Sequence, residues 1–213
     1  MPNVTAWLAA ANPLRDSPTR EQALMAGRWS SLALWLSALT GLIQGLLIWV
    51  NRDRTIAAMQ EFMDGFTSSM GPDAAPEALE MQSAMMEAMM PGMILQSVVW
   101  IIVFAIVFVA LAGVQWSKPT RWIPIVFIVV AALGLFGHLM NMMMAATLAN
   151  APVVMADGTP MPTPGPQMTG VPAWFFPVMA AEAALALVLH ITGLRGAIAL
   201  RRMAERAGGD VQP

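Results

Sequence analysis

Two apolar runs, Ile94–Val114 and Trp122–Leu139, flank a short basic turn, Gln115-Trp116-Ser117-Lys118-Pro119-Thr120-Arg121. Neither run contains Asp, Glu, Lys or Arg. A helix needs ~20 apolar residues to cross ~30 Å of hydrocarbon, and soluble helices are seldom apolar on every face for that length. The pattern therefore predicts a transmembrane hairpin. Similar runs occur at Trp29–Val50 and Ala173–Leu194, so four spans are expected, at about 29–50, 94–114, 122–144 and 173–194. They would form a membrane domain over 29–194. A polar N-terminal segment (1–28), two long connections (51–93 and 145–172) and an Arg-rich tail (195–213) lie outside the spans.

The polar segments predict further helices. Thr5–Ala11 suits a short helix with Trp7 and Leu8 on one side, stopped by Asn12-Pro13, because proline disfavours a helical residue before it. Ser17 and Pro18 suit the N-cap and first position of a second helix running into span 1, and Glu21 suits its first turn. The N-terminal residues provide no apolar region with a small-residue cleavage site, so a secretory signal is not expected. Span 1 is expected to continue as a helix through Gln60 towards Phe66, until Gly71-Pro72 breaks it. Pro76–Met90 then reads as an amphipathic helix ending at Pro91-Gly92. Met81, Met85, Met86, Met89 and Met90 cover one half of its wheel, and Glu77, Glu80 and Glu87 the other. The Met face is expected to turn inward and cap the bundle. Within the second connection, Asn150–Pro172, rich in Pro and Gly with the single charge Asp157, suggests an irregular loop over the bundle mouth. In span 1, Gly41 and Gly45 form a G-x-x-x-G pair that permits close helix packing.

Charge sets the orientation. The N-terminal flank (Arg15, Arg20, Arg28), the central turn (Lys118, Arg121) and the tail (Arg195, Arg201, Arg202, Arg206) share one side of a four-span chain. Only Arg52 and Arg54 fall on the other. Basic residues accumulate in the cytoplasm, so both termini are expected inside and the two long connections outside. Trp29, Trp49, Trp116, Trp122 and Trp174 sit at span ends, where an aromatic belt belongs. The expected fold is thus all-α: a polytopic protein of the plasma (inner) membrane, four transmembrane helices in a bundle, N-in/C-in, with an outward amphipathic helix.

Composition agrees and narrows the chemistry. Of 213 residues, 57% are hydrophobic and only 11% charged, against about 25% charged in soluble domains. There is no basic stripe for nucleic acid. The absence of cysteine removes disulfides, thiolate nucleophiles and iron–sulfur ligation. The preference for Arg over Lys suggests a bacterial source by association. The polar N-terminus, long first connection, tight basic turn before Trp122 and Arg-rich tail give a layout similar to that of small bacterial four-span membrane proteins.

The candidate polar residues within the spans are Gln44, His138, Asn141, Glu182 and His190. A carboxylate there costs ~2.5–3.5 kcal/mol on insertion scales and usually faces protein or water. Glu182, Ala186 and His190 form one stripe, expected to be the inner face of span 4. Helical rise places Glu182, His138 and Gln44 at similar depth, with Asn141 beside His138. Two readings follow for Glu182: an ion or proton pathway with His138 as partner, or a structural hydrogen bond to Gln44, His138 or a backbone carbonyl. His190 is expected near the cytoplasmic headgroups, its polar tip at the interface. Twenty methionines raise copper(I), which soft thioether and imidazole ligands select. Met85, Met89, His138 and Met142 are the candidate ligands, and the alternative is that methionine serves as adaptable apolar filler. No H-E-x-x-H, serine elbow or phosphate loop is present. Haem ligation by His138 and His190 is opposed by their different depths. The expectation is a non-catalytic accessory, assembly or interaction subunit with lipid and a membrane-protein partner and without a cofactor. The alternatives are outward copper(I) binding or transfer, and an ion or proton pathway through Glu182.

Overall fold

The computed structural model describes residues 4–14, 17, 19–69, 76–150 and 170–209. Among them every regular element is a helix: α1 (Val4–Ala10), α2 (Arg20–Val50), α3 (Arg52–Ser69), α4 (Pro76–Ser117), α5 (Trp122–Asn150) and α6 (Phe175–Gly209). Four stretches are long and apolar enough to cross a membrane: Arg20–Val50, Ala88–Ser117, Trp122–Met144 and Phe175–Ala207. All four expected spans are therefore helices of adequate length.

The differences lie at the ends. The N-cap of α2 is Thr19, whose Oγ1 accepts from the Gln22 amide at 3.3 Å, rather than Ser17. At Leu14 the chain turns on Asn12, whose Oδ1 accepts the Leu14 amide at 2.9 Å; an Asx turn of this kind competes with helix. Between α2 and α3 the helical bonding persists, Asn51 N to Leu47 O (3.0 Å) and Thr55 N to Asn51 O (2.9 Å), which bears out the continued helix. The expected break at Pro91-Gly92 does not occur, because α4 runs through it. An internal proline forfeits one backbone bond and crowds a carbonyl. Spans accept such a proline where neighbouring groups take up the freed backbone carbonyl; Met90, just before it, is buried. The methionine face is also corrected: Met81, Met85 and Met89 are exposed, and Met90 alone of the described set is buried. The side chains of Met86, Glu77, Glu80 and Glu87, the Gly71-Pro72 break and the loop around Asp157 lie outside the described residues. α5 extends to Asn150, the residue at which the irregular loop was expected to begin.

The chain packs as two compact units. One comprises Met1–Thr40, Phe104–Gly137 and Met179–Pro213; the other comprises Gly41–Val103 and His138–Val178. In the first, Ala33, Ala186 and Leu189 form a buried cluster with Trp29 and Ala131 packed against it. Burial is uneven among the spans. It reaches 44% of the apolar stretch of α6 but only 11% of those of α4 and α5. The first unit's core thus leans on α6, leaving α4 and α5 with exposed apolar faces.

Candidate functional site

The most polar seam of the first unit lies between α2 and α6. Its closeness comes from small residues. A Cβ added to Gly193 would strike Ser30, with Ser30 N at 3.0 Å and Ser30 Cα at 3.2 Å. One added to Gly196 would fall on the Gly27 amide, 2.7 Å from Ala23 O and 2.8 Å from Ala26 C. Backbones approach this closely only where side chains are absent. Gly27 also receives Pro119, whose Cβ would lie 2.7 Å from an added methyl. The G-x-x-x-G pair Gly41 and Gly45 was expected to allow such packing. There the neighbour is the flexible Ile101 side chain, at 4.0 and 3.1 Å, so that pair is a looser contact in the second unit.

Two hydrogen bonds cross the seam. Ser37 Oγ donates to Glu182 Oε1 at 2.6 Å, with both residues half-buried. Ser30 Oγ and His190 Nδ1 share a bond of 2.7 Å, at 0% and 1% exposure. Phe127 of α5 stacks on the imidazole at 5.5 Å and 24°, and Phe108 of α4 meets Phe127 edge-on at 5.1 Å. The contacts 27 to 196, 30 to 190 and 37 to 182 run in opposite chain directions, so α2 and α6 are antiparallel here. The seven residues from Ser30 to Ser37 match the eight from Glu182 to His190, since each interval is about two helical turns. The stripe Glu182, Ala186, His190 does face inward, with Ala186 and His190 buried.

The seam is closed at one end by the turn after α4. Gln115, fully buried, donates through Nε2 to Gly27 O (3.3 Å) and Thr120 O (3.2 Å). Its Oε1 accepts from Thr120 N (3.0 Å) and Thr120 Oγ1 (3.1 Å). This satisfies the side chain and splices the turn to α2. Around it, Trp7 stacks on Trp116 (5.8 Å, 14°), the Arg28 guanidinium lies over Trp116 at 5.0 Å, and Trp29 Nε1 donates to Trp7 O at 3.2 Å. Thr192 Oγ1 donates to Ala11 O at 2.9 Å, tying the N-terminal segment to α6.

A serine bonded to a histidine invites comparison with a nucleophile and its base. Ser30 and His190 are shut off from solvent, and Gly193 presses directly on Ser30, so a substrate carbonyl has no volume to occupy. The seam orients helices. His190, expected to hold a polar tip at the interface, is buried against Phe127. For Glu182 the expected partner was Gln44, His138 or a carbonyl, and the partner is Ser37. The missed residues, Ser30 and Ser37, carried a signal in their spacing of seven on one face of α2.

The remaining candidates belong to the second unit. Gln44 and His138 are half-buried and Asn141 is exposed. Met85 and Met89 lie one turn apart on α4, His138 and Met142 one turn apart on α5, and all three thioethers are exposed. Among the described residues, no three His, Asp or Glu side chains gather as a metal site. Comparison with protein-family models, curated proteins and solved structures finds no match.

Proposed function

We propose that the protein is a non-catalytic accessory, assembly or interaction subunit of the plasma (inner) membrane. In this reading it is a four-helix bundle with both termini cytoplasmic and the two long connections outward. The observation that carries it is the seam: Glu182 and His190, the ionisable groups of residues 173–194, are each hydrogen-bonded to a serine of α2. One carboxyl oxygen of Glu182 and one ring nitrogen of His190 thus go into helix pairing. The apolar faces left on α4 and α5 suit lipid or the spans of a partner. Charge distribution supports the orientation, with nine basic residues in the proposed inner segments and Arg52 and Arg54 in the outer ones.

The test is Glu182→Gln in the full-length protein purified from membranes. The amide oxygen still accepts from Ser37, so the variant is expected to elute as wild type, lose no more than about 1 kcal/mol of stability, and retain any co-purifying partner. A pH-gradient-driven proton flux in liposomes, present in wild type and abolished in the variant, would replace the subunit reading with a pathway through Glu182. A second reading, outward copper(I) binding, draws on one observation. Met85, Met89 and Met142 expose their thioethers, as a metal captured from solution requires, and methionine and imidazole suit it.

A further inference from the structure

The second unit contains an open cleft of about 690 Å³, lined by Asn51, Arg54, Ala57, Ala58, Glu61 and residues 170–173. That volume falls within the range of small-molecule sites. The cleft lies where two spans end: Asn51 follows the last residue of α2, and Ala173 stands two residues before the first of α6. Arg54, Ala57, Ala58 and Glu61 occupy positions i, i+3, i+4 and i+7 of α3, so they share one stripe. A cation stands at one end, a carboxylate two turns on, and two small side chains leave space between.

The opposite wall is fixed. Gly170 has φ 68°, a conformation that favours glycine. A methyl there would meet Ile48 Cα and Thr55 Oγ1, both at 3.2 Å. Asn51 Nδ2 donates to Leu47 O (2.9 Å) and reaches Gly170 O (3.5 Å), while the buried Thr55 hydroxyl donates to Asn51 O (3.0 Å). Exposed indoles flank the same level: Trp49 beneath the Arg52 guanidinium at 4.6 Å, and Trp174 beside Phe175. Tryptophan at span ends marks the headgroup layer.

We infer that the cleft is a headgroup site for a zwitterionic phospholipid carrying a primary ammonium, an ethanolamine phospholipid. Arg54 takes the phosphate, Glu61 takes the ammonium, and the alanines with Val171 and Pro172 cover the glycerol end. The charges decide the class. A glycerol headgroup would satisfy Arg54 but offer Glu61 only neutral hydroxyl donors, weaker partners than an ammonium. A choline headgroup offers Glu61 no N–H, whereas a primary ammonium offers three. Both contacts are charge-assisted, the stronger kind of hydrogen bond.

The test is competitive lipid retention by the full chain in detergent, read by native mass spectrometry with equimolar ethanolamine, choline and glycerol phospholipids. The ethanolamine lipid is expected to be retained about tenfold over each of the others. Arg54→Gln and Glu61→Gln should each lower its retention by about tenfold, the scale of one charged hydrogen bond. Ala57→Trp, which fills the cleft and keeps both charges, should abolish it. All three positions are exposed on α3, and unchanged elution and helical circular dichroism confirm an intact fold. Equal retention of the three lipids, indifference to the three substitutions, or displacement by soluble glycerophosphoethanolamine at the lipid's own concentration would each overturn the inference.

Discussion

Replacing Gly196 with alanine puts a methyl where the backbone of α2 already lies. The new Cβ would coincide with the Gly27 amide and stand 2.7 Å from Ala23 O and 2.8 Å from Ala26 C. Carbon contacts settle at ~3.5–4.0 Å, and no flexible side chain is available to yield, so the two helices must part by about 1 Å. Overpacking of this kind costs roughly 1–3 kcal/mol. Parting the helices also strains the Ser30–His190 and Ser37–Glu182 bonds, each worth about 1 kcal/mol. Alanine returns about 1 kcal/mol through helix propensity. The expected net loss is about 2–3 kcal/mol. Gly134→Ala on α5 is the control, because nothing lies within 4 Å of its added methyl; it should be neutral or gain up to about 1 kcal/mol. Unfolding in detergent by titration with sodium dodecyl sulfate, followed by tryptophan fluorescence and circular dichroism, should separate the two by about 2–4 kcal/mol. Equal midpoints would refute the close α2–α6 approach.

Two further outcomes follow from the same contacts. Gln115→Leu removes the acceptor of the Thr120 amide and the donor to Gly27 O, so amide hydrogen exchange at Thr120 should accelerate at least about tenfold, the worth of one ~1.4 kcal/mol bond; unchanged exchange would show that Gln115 does not hold the turn. An anaerobic copper(I) competition titration should show no tight binding if the exposed methionines only contact lipid, with wild type and a variant carrying Met85→Leu, Met89→Leu, His138→Ala and Met142→Leu behaving alike. Near-stoichiometric binding lost in the variant would instead make those four residues a metal site.

The spans were legible because hydrophobic length is a local property. Runs such as Ile94–Val114, without a charge, can satisfy their backbone in lipid only as helices. Their ends were less legible, since helices ignore the membrane boundary: α4 begins at Pro76 and carries Pro91 in its interior. The inward stripe Glu182, Ala186, His190 was readable from period alone. Its partners were not. Ser37 is 145 residues from Glu182, and Ser30 is 160 from His190, so the rotation and register of α2 against α6 are tertiary quantities that hydropathy does not encode. The methionine face misled for a related reason. An amphipathic period says that two faces differ, but not which neighbour, if any, covers the apolar one.

The register of that seam is itself specified by polarity. Were α6 to slip one turn along α2 in either direction, His190 would face Ala26 or Leu34 in place of Ser30. Glu182 would face Ala33 or Gly41 in place of Ser37. Both polar groups would then be held against apolar surface with the serines unpaired, at about 1–3 kcal/mol for each orphaned group. Gly196 would also leave Gly27, the position that lets the backbones meet. Apolar packing alone discriminates poorly here, because Ala23, Ala26, Ala33 and Ala38 offer similar small surfaces at several registers. Two hydrogen-bonded pairs spaced two turns apart on both helices remove that ambiguity. This is the best-attested use of buried polar residues, which select one alignment over its neighbours, and it accounts for a carboxyl and an imidazole in a span without assigning either to catalysis.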